Sequence, residues 1–84
     1  MAEVVLTLGA RRDLEGLPQT IRGRTLKILV RLGSWPHVSG IKPLRGPLTG
    51  HFRARTGDYR LQFHVQGQTV VVEKIGHRDR FYEE

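Results

Sequence analysis

The chain has 84 residues, enough for one domain covering residues 1–84 and no second core, since a chain of this size buries only about 60 to 65% of its unfolded surface. It contains no cysteine, which excludes disulfides, a thiolate metal site and a thiol nucleophile, and points to a reducing cytoplasmic setting. Its formal charge of +6 arises from 14 basic and 8 acidic residues, and 11 of the basic ones are arginine, whose planar fork suits phosphate; an anionic polymer is the expected partner.

Residues 1–8 lack the basic start and long apolar run of a signal peptide, and no later stretch approaches a membrane span, so neither export nor a membrane partner is expected. Residues 3–8 are apolar and β-branched enough for a first strand, and a short helix over residues 10–17 follows, with Leu14 and Leu17 at helical spacing. Pro18 suits the first turn of a second helix, in which Ile21, Thr25, Ile28, Leu29 and Leu32 form the apolar stripe and Gly33 marks the end. Residues 34–48 carry too much proline and glycine for regular structure, yet their apolar side chains predict an ordered connection.

Three strands come next, over residues 50–55, 58–66 and 68 or 69 to 76, joined by the turn pairs Thr56-Gly57 and Gly67-Gln68. Strand, two helices and a three-stranded antiparallel meander make an α+β domain with the helices on one sheet face and the other face open to a partner. No acidic residue lies between Glu15 and Asp58, whereas eight basic residues do, so the electrostatic footprint of the chain is concentrated in its middle.

A turn at Thr56-Gly57 pairs Arg55 with Asp58, Ala54 with Tyr59, Arg53 with Arg60 and His51 with Gln62. Phe52, Ala54, Tyr59, Leu61, Phe63 and Val65 then share the core face, while His51, Arg53, Arg55, Arg60, Gln62 and His64 share the polar one. Opposing arginines repel, a cost that a bound phosphate relieves. The next hairpin sets His64 against Val71 and Arg60 against Ile75, which returns Arg78 and Tyr82 to the Arg60 end.

Arg55 with Asp58 reads as an ordinary surface ion pair, His64 as structural, and Trp35 beside Pro36 as a core anchor rather than a base-stacking platform. The four histidines stand at no familiar ligand spacing, and no neighbouring carboxylate accompanies His51 or His77, so metal-independent chemistry without a cofactor is expected. Phosphate-binding glycine loops, paired carboxylates and esterase elbows are absent, which leaves chemistry at phosphate by cations.

The segments Lys42-Pro43-Leu44-Arg45-Gly46, Arg53-Ala54-Arg55-Thr56-Gly57-Asp58-Tyr59-Arg60 and Ile75-Gly76-His77-Arg78-Asp79-Arg80-Phe81-Tyr82 resemble, in order and spacing, the RelE/ParE toxins. The resemblance spans nearly the whole chain and is closer to the RelE-like messenger RNA interferases. It implies a toxin of a type II toxin-antitoxin pair that is neutralised by a cognate antitoxin, enters the ribosome and cuts messenger RNA without a metal. In that reaction the ribose 2'-hydroxyl attacks the adjacent phosphate and leaves a cyclic phosphate.

Carried over residue by residue, the resemblance assigns catalysis to His51, Arg53, Arg60, Arg78 and Tyr82. His51 and Arg53 stand where RelE-like enzymes have lysines. Arg53 and Arg60 clamp the phosphate, Arg78 acts near the leaving oxygen, and Tyr82 positions the hydroxyl or a base. Arginine hardly deprotonates, so His51 is the candidate for proton transfer. Lys42, Arg45, Arg55 and His77 complete the expected RNA- and ribosome-contacting set. The alternatives are a ParE-like inhibitor of DNA gyrase, or a catalytically inactive nucleic-acid-binding member in which His51 marks weakened chemistry.

Overall fold

A computed structural model describes residues 1–81, so Tyr82 lies outside the described residues. Strand β1, Glu3–Leu6, runs into helix α1, Leu8–Glu15, which starts earlier than the apolar spacing suggested. The reason is Thr7: its hydroxyl oxygen accepts a hydrogen bond from the Ala10 amide at 3.1 Å and caps the helix there. Helix α2 spans Gln19–Leu32, with Pro18 in the N-cap position and Gly33 in the C-cap position. The stretch expected to be irregular contains a two-residue strand β2, Lys42–Pro43, and a 3-10 turn, Gly46–Leu48.

The meander is β3, His51–Thr56, β4, Tyr59–Gln66, and β5, Thr69–His77. With the two outer strands it forms one five-stranded sheet of order β1-β5-β4-β3-β2, in which β1 runs parallel to β5. The sequence reading lacked β2, because two residues beside a proline carry no periodicity. They are strand only because β3 offers an edge, pairing Lys42 with Arg53 and Pro43 with Phe52.

Two registers differ from the sequence reading. Gly57-Asp58, not Thr56-Gly57, forms the β3–β4 turn, so Thr56 faces Tyr59, Arg55 faces Arg60, Arg53 faces Gln62 and His51 faces His64. Gly57 at φ 57° and Gly67 at φ 60° occupy the first loop position of their hairpins, and among the described residues no non-glycine has positive φ. This glycine-first arrangement matches the twist of the flanking strands. On β5 an irregularity between Gln62 and Phe63 moves the partner of Arg60 from Ile75 to Gly76: Phe63 faces Val72 and Gln62 faces Lys74, which leaves Glu73 as the extra residue of a β-bulge.

The β3–β4 slide spans an even number of residues, so the sorting of side chains between the faces survives it. Ala10, Leu17, Ile28, Leu32, Ala54, Leu61, Phe63, Val70, Val72 and Ile75 form the core between helices and sheet. Burying a residue such as Phe63, fully enclosed here, contributes about 1.5–3 kcal/mol. The buried Thr25 hydroxyl donates to the Ile21 carbonyl at 2.9 Å, so its burial leaves no unmet donor. Trp35 packs edge-on against Phe52 and Phe63, at 4.9 and 5.4 Å between ring centres, and anchors the connection. Among the described residues no helix is long and apolar enough to cross a membrane.

Candidate functional site

The sheet face away from the helices is organised as three rows across the strands, about 7 Å apart because alternate residues share a face. The first row is Arg55, Arg60 and Gly76; the second is Lys42, Arg53, Gln62 and Lys74; the third is His51, His64 and Val71. Both upper rows set like charges side by side, Arg55 against Arg60 and Lys42 against Arg53, an arrangement that costs stability unless an anion lies between them.

Two groups of cations follow from this layout. At one sheet edge Lys42, Arg45 and Arg53 line a shallow depression of about 500 Å³ together with Pro43 and Leu44. Arg45 stands at the N-cap position of the 3-10 turn and follows Leu44, whose amide donates to the His51 carbonyl of β3 at 2.9 Å. At the hairpin end the Arg60 guanidinium reaches the Gly57 carbonyl at 3.5 Å, and the Arg78 backbone amide donates to the Asp58 carbonyl at 2.7 Å. That second bond ties the segment after β5 to the β3–β4 turn and brings Arg78 to the Arg60 end, as the sequence implied.

The charge of Arg78 is shared: its Nε lies 3.9 Å from Asp58 and 3.7 Å from Asp79. Asp58 therefore neighbours Arg78, whereas the sequence reading had paired it with Arg55. The Arg78 side chain remains 58% exposed, so it has room to swing. Lys74 places its ammonium 4.8 Å from the centre of the buried Phe81 ring.

His77 does not join this face. It pairs with Tyr59, on the core-facing side, with ring centres 5.1 Å apart, and its Nδ1 accepts from the Asp79 amide at 3.1 Å.

The third row holds what sequence reasoning missed. His51 Nδ1 lies 2.7 Å from Glu73 Oε1, and His64 Nδ1 lies 3.0 Å from Glu73 Oε2. Gln62 Nε2 donates to Glu73 Oε1 at 3.3 Å. A carboxylate thus does accompany His51, and His77 has Asp79 at 3.6 Å. Burial of Glu73 works to raise its carboxyl, but hydrogen bonds from His51, Gln62 and His64, with the charge of His51, outweigh it and hold the carboxyl below its ordinary range. The available signal was a lone acid in the run Val70-Val71-Val72-Glu73-Lys74-Ile75; the bulge that turns it toward the histidines had none.

With Nδ1 donating to Glu73, the Nε2 of a neutral His51 is a proton acceptor, the arrangement that lets an imidazole act as a general base. The face as a whole combines cations in two rows with a carboxylate-held imidazole in the third. Such a surface has the charge and the spacing to accommodate a phosphodiester chain.

Comparison with known proteins shows the family. The family model described as the ParE toxin of the type II toxin-antitoxin system parDE matches residues 4–82. The toxin RelG of Mycobacterium tuberculosis is 37% identical over 81 residues, covering 94% of this chain and 93% of that protein. Among solved structures, the RelBE2 toxin-antitoxin complex of M. tuberculosis superposes with a TM-score of 0.79 at 37% identity, over 92% of this chain and 98% of the matched one. The isolated Escherichia coli RelE toxin also gives a TM-score of 0.79, over 98% and 89% of the two chains, and at 21% identity this similarity speaks for the fold alone. The chain belongs to the RelE/ParE superfamily of type II toxins.

Proposed function

We propose that this toxin is a ribosome-dependent endoribonuclease that cuts messenger RNA by attack of a ribose 2'-hydroxyl on the adjacent phosphate. The observation that carries the reading is the open face itself, with Arg53 and Arg60 in neighbouring rows, His51 beyond them and Arg78 tied to the hairpin end.

Arg53 and Arg60 hold the non-bridging oxygens of the phosphate and stabilise the charge that builds there. His51 Nε2 takes the proton of the 2'-hydroxyl as the new O–P bond forms, and Glu73 steadies the imidazolium. The P–O bond to the 5' oxygen breaks, that oxygen takes a proton from water, to which the His51 imidazolium returns its own, and a 2',3'-cyclic phosphate remains. Arg78 supports the leaving oxygen, and Tyr82 positions the hydroxyl or stacks on a base. Arginine charge does the electrostatic work that a metal does elsewhere, so the reaction requires neither metal nor cofactor. Lys42, Arg45 and Arg55 contact RNA or the ribosome along the flanks, whereas His77 is better placed to order the segment that carries Arg78.

The toxin acts in the cytoplasm, where ribosomes are, and a cognate antitoxin restrains it; the RelBE2 structure is such a complex for a relative. The ParE family model favours a second reading, inhibition of DNA gyrase by binding. In vitro translation with RNA ends mapped by primer extension, beside a gyrase supercoiling assay, separates the two. Cleavage within translated codons is expected; inhibited supercoiling with intact RNA reverses the ranking.

A further inference from the structure

Sequence spacing gave no reason to place a metal on this chain, yet the fold brings two imidazoles and a carboxylate to one point. We propose that His51, His64 and Glu73 form a binding site for a divalent transition metal of the zinc class. One donor atom from each lies within 4.8 Å of the others. They come from three adjacent strands, His51 and His64 directly opposite each other and Glu73 delivered between them by the bulge.

A second observation points the same way: His64 Nδ1 is buried and faces the Glu73 carboxylate at 3.0 Å, but the contact is too poorly aligned to satisfy the nitrogen fully. A buried ring nitrogen with a poorly met polar contact carries a cost that a metal between it and the carboxylate removes. The outer shell is also present. Gln62 holds Glu73 at 3.3 Å, and Gln66 meets His64 Nε2 at 3.2 Å, where its amide, turned to present oxygen, accepts the ring proton that metallation of Nδ1 leaves on Nε2.

Two histidines and a carboxylate, with a fourth position open, are a familiar zinc donor set and suit cobalt as well. Bonds of about 2.0–2.1 Å in a tetrahedron need donors about 3.3 Å apart, so the 2.7 and 3.0 Å separations, which run to the two different Glu73 oxygens, open by about 0.3–0.6 Å, and wider separations within the 4.8 Å limit close. The three side chains are 23 to 30% exposed, which leaves a path for the ion. Neighbouring arginines weaken the site relative to a structural zinc centre.

The consequence rests on the nuclease reading. A metal on His51 Nδ1 puts the ring proton on Nε2, which can then no longer accept one. Bound zinc therefore slows RNA cleavage, and the site is an inhibitory one.

The test uses the full chain stripped of metal by a chelator and desalted. Cobalt should give the visible absorption bands of a tetrahedral site, and zinc calorimetry should give one ion per chain. Imidazole resonances of His51 and His64 should shift with zinc while those of His37 and His77 stay. His64→Gln should weaken binding by about tenfold or more with an unchanged circular dichroism spectrum. Absent cobalt bands, shifts at His37 or His77 instead, or unweakened binding in His64→Gln overturns the site. These readouts do not depend on catalysis, so loss of the nuclease reading is distinguishable. If cleavage is found, zinc should slow the wild type and spare His64→Gln; equal slowing of both removes the inhibitory role.

Discussion

His51 and Glu73 lie 22 positions apart in sequence and 2.7 Å apart in space, joined through the Nδ1 nitrogen and one carboxylate oxygen. Because hydrogen bonds and the nearby imidazole charge keep the Glu73 carboxyl below its ordinary range, the folded chain binds that proton less readily than the unfolded chain. The stabilisation is therefore present above the ordinary carboxylate range and is lost as pH falls through the lowered folded value. Glu73→Gln should cost about 1 kcal/mol at neutral pH, and the difference from wild type should shrink when the pH is taken below the ordinary carboxylate range. Urea unfolding in chelator-containing buffer at both pH values checks this; a difference that persists in acid shows that packing, not charge, is responsible.

Arg60 and Arg78 meet at the same hairpin through the carbonyls of Gly57 and Asp58. Arg78→Ala removes a side chain that is 58% exposed, so stability should change by no more than about 0.5 kcal/mol. On the proposed mechanism, cleavage should fall by about 10²-fold or more in Arg60→Ala or Arg78→Ala, since each removes a charge assigned to the reacting phosphate. RNA-end mapping beside thermal unfolding measures both effects. Full cleavage in both variants removes these residues from the site.

His51 stands where related nucleases carry lysine, and its contact with Glu73 lets charge and proton transfer be told apart. If its job is cationic, His51→Lys should cleave as well as wild type or better, because lysine stays charged and still reaches Glu73. If it moves a proton, the same variant should lose about 10²–10⁴-fold. We expect the loss, given a carboxylate that fixes the imidazole tautomer. A wild-type rate in the lysine variant assigns His51 to charge alone.

The division of side chains between the two faces was legible because strands alternate with period two, and a register error by an even number of residues leaves the faces unchanged. That is why Arg53 and Arg60 were found on the open face although the pairing of Arg53 with Arg60 was wrong. The turn was misplaced because Thr56-Gly57 and Gly57-Asp58 are both acceptable pairs by composition, and only strand twist chooses the glycine-first one. Glu73 was missed for a different reason: a bulge adds one residue to one strand, and nothing local in Val72-Glu73-Lys74 announces it. Strand β2 was missed because its backbone pairing depends on partners nine and eleven residues away in sequence rather than on its own side chains.

The open edge of β5 gives a last test, of how this sheet is closed. Beside β1 the strand is paired only as far as Val72, and beyond that point the Ile75 amide donates to Asp13 Oδ2 on α1 at 3.0 Å. A helix side chain thus takes the place of a neighbouring strand and ties α1 to the part of β5 that leads into Gly76 and Arg78. Asp13→Ala leaves the half-buried donor unmet and should cost about 1–3 kcal/mol, whereas Asp13→Asn keeps an acceptor oxygen and should recover most of that loss. Urea midpoints of the two variants decide between hydrogen bonding and charge: equal losses in both assign the effect to the carboxylate charge, and no loss in either shows that water serves the Ile75 amide as well.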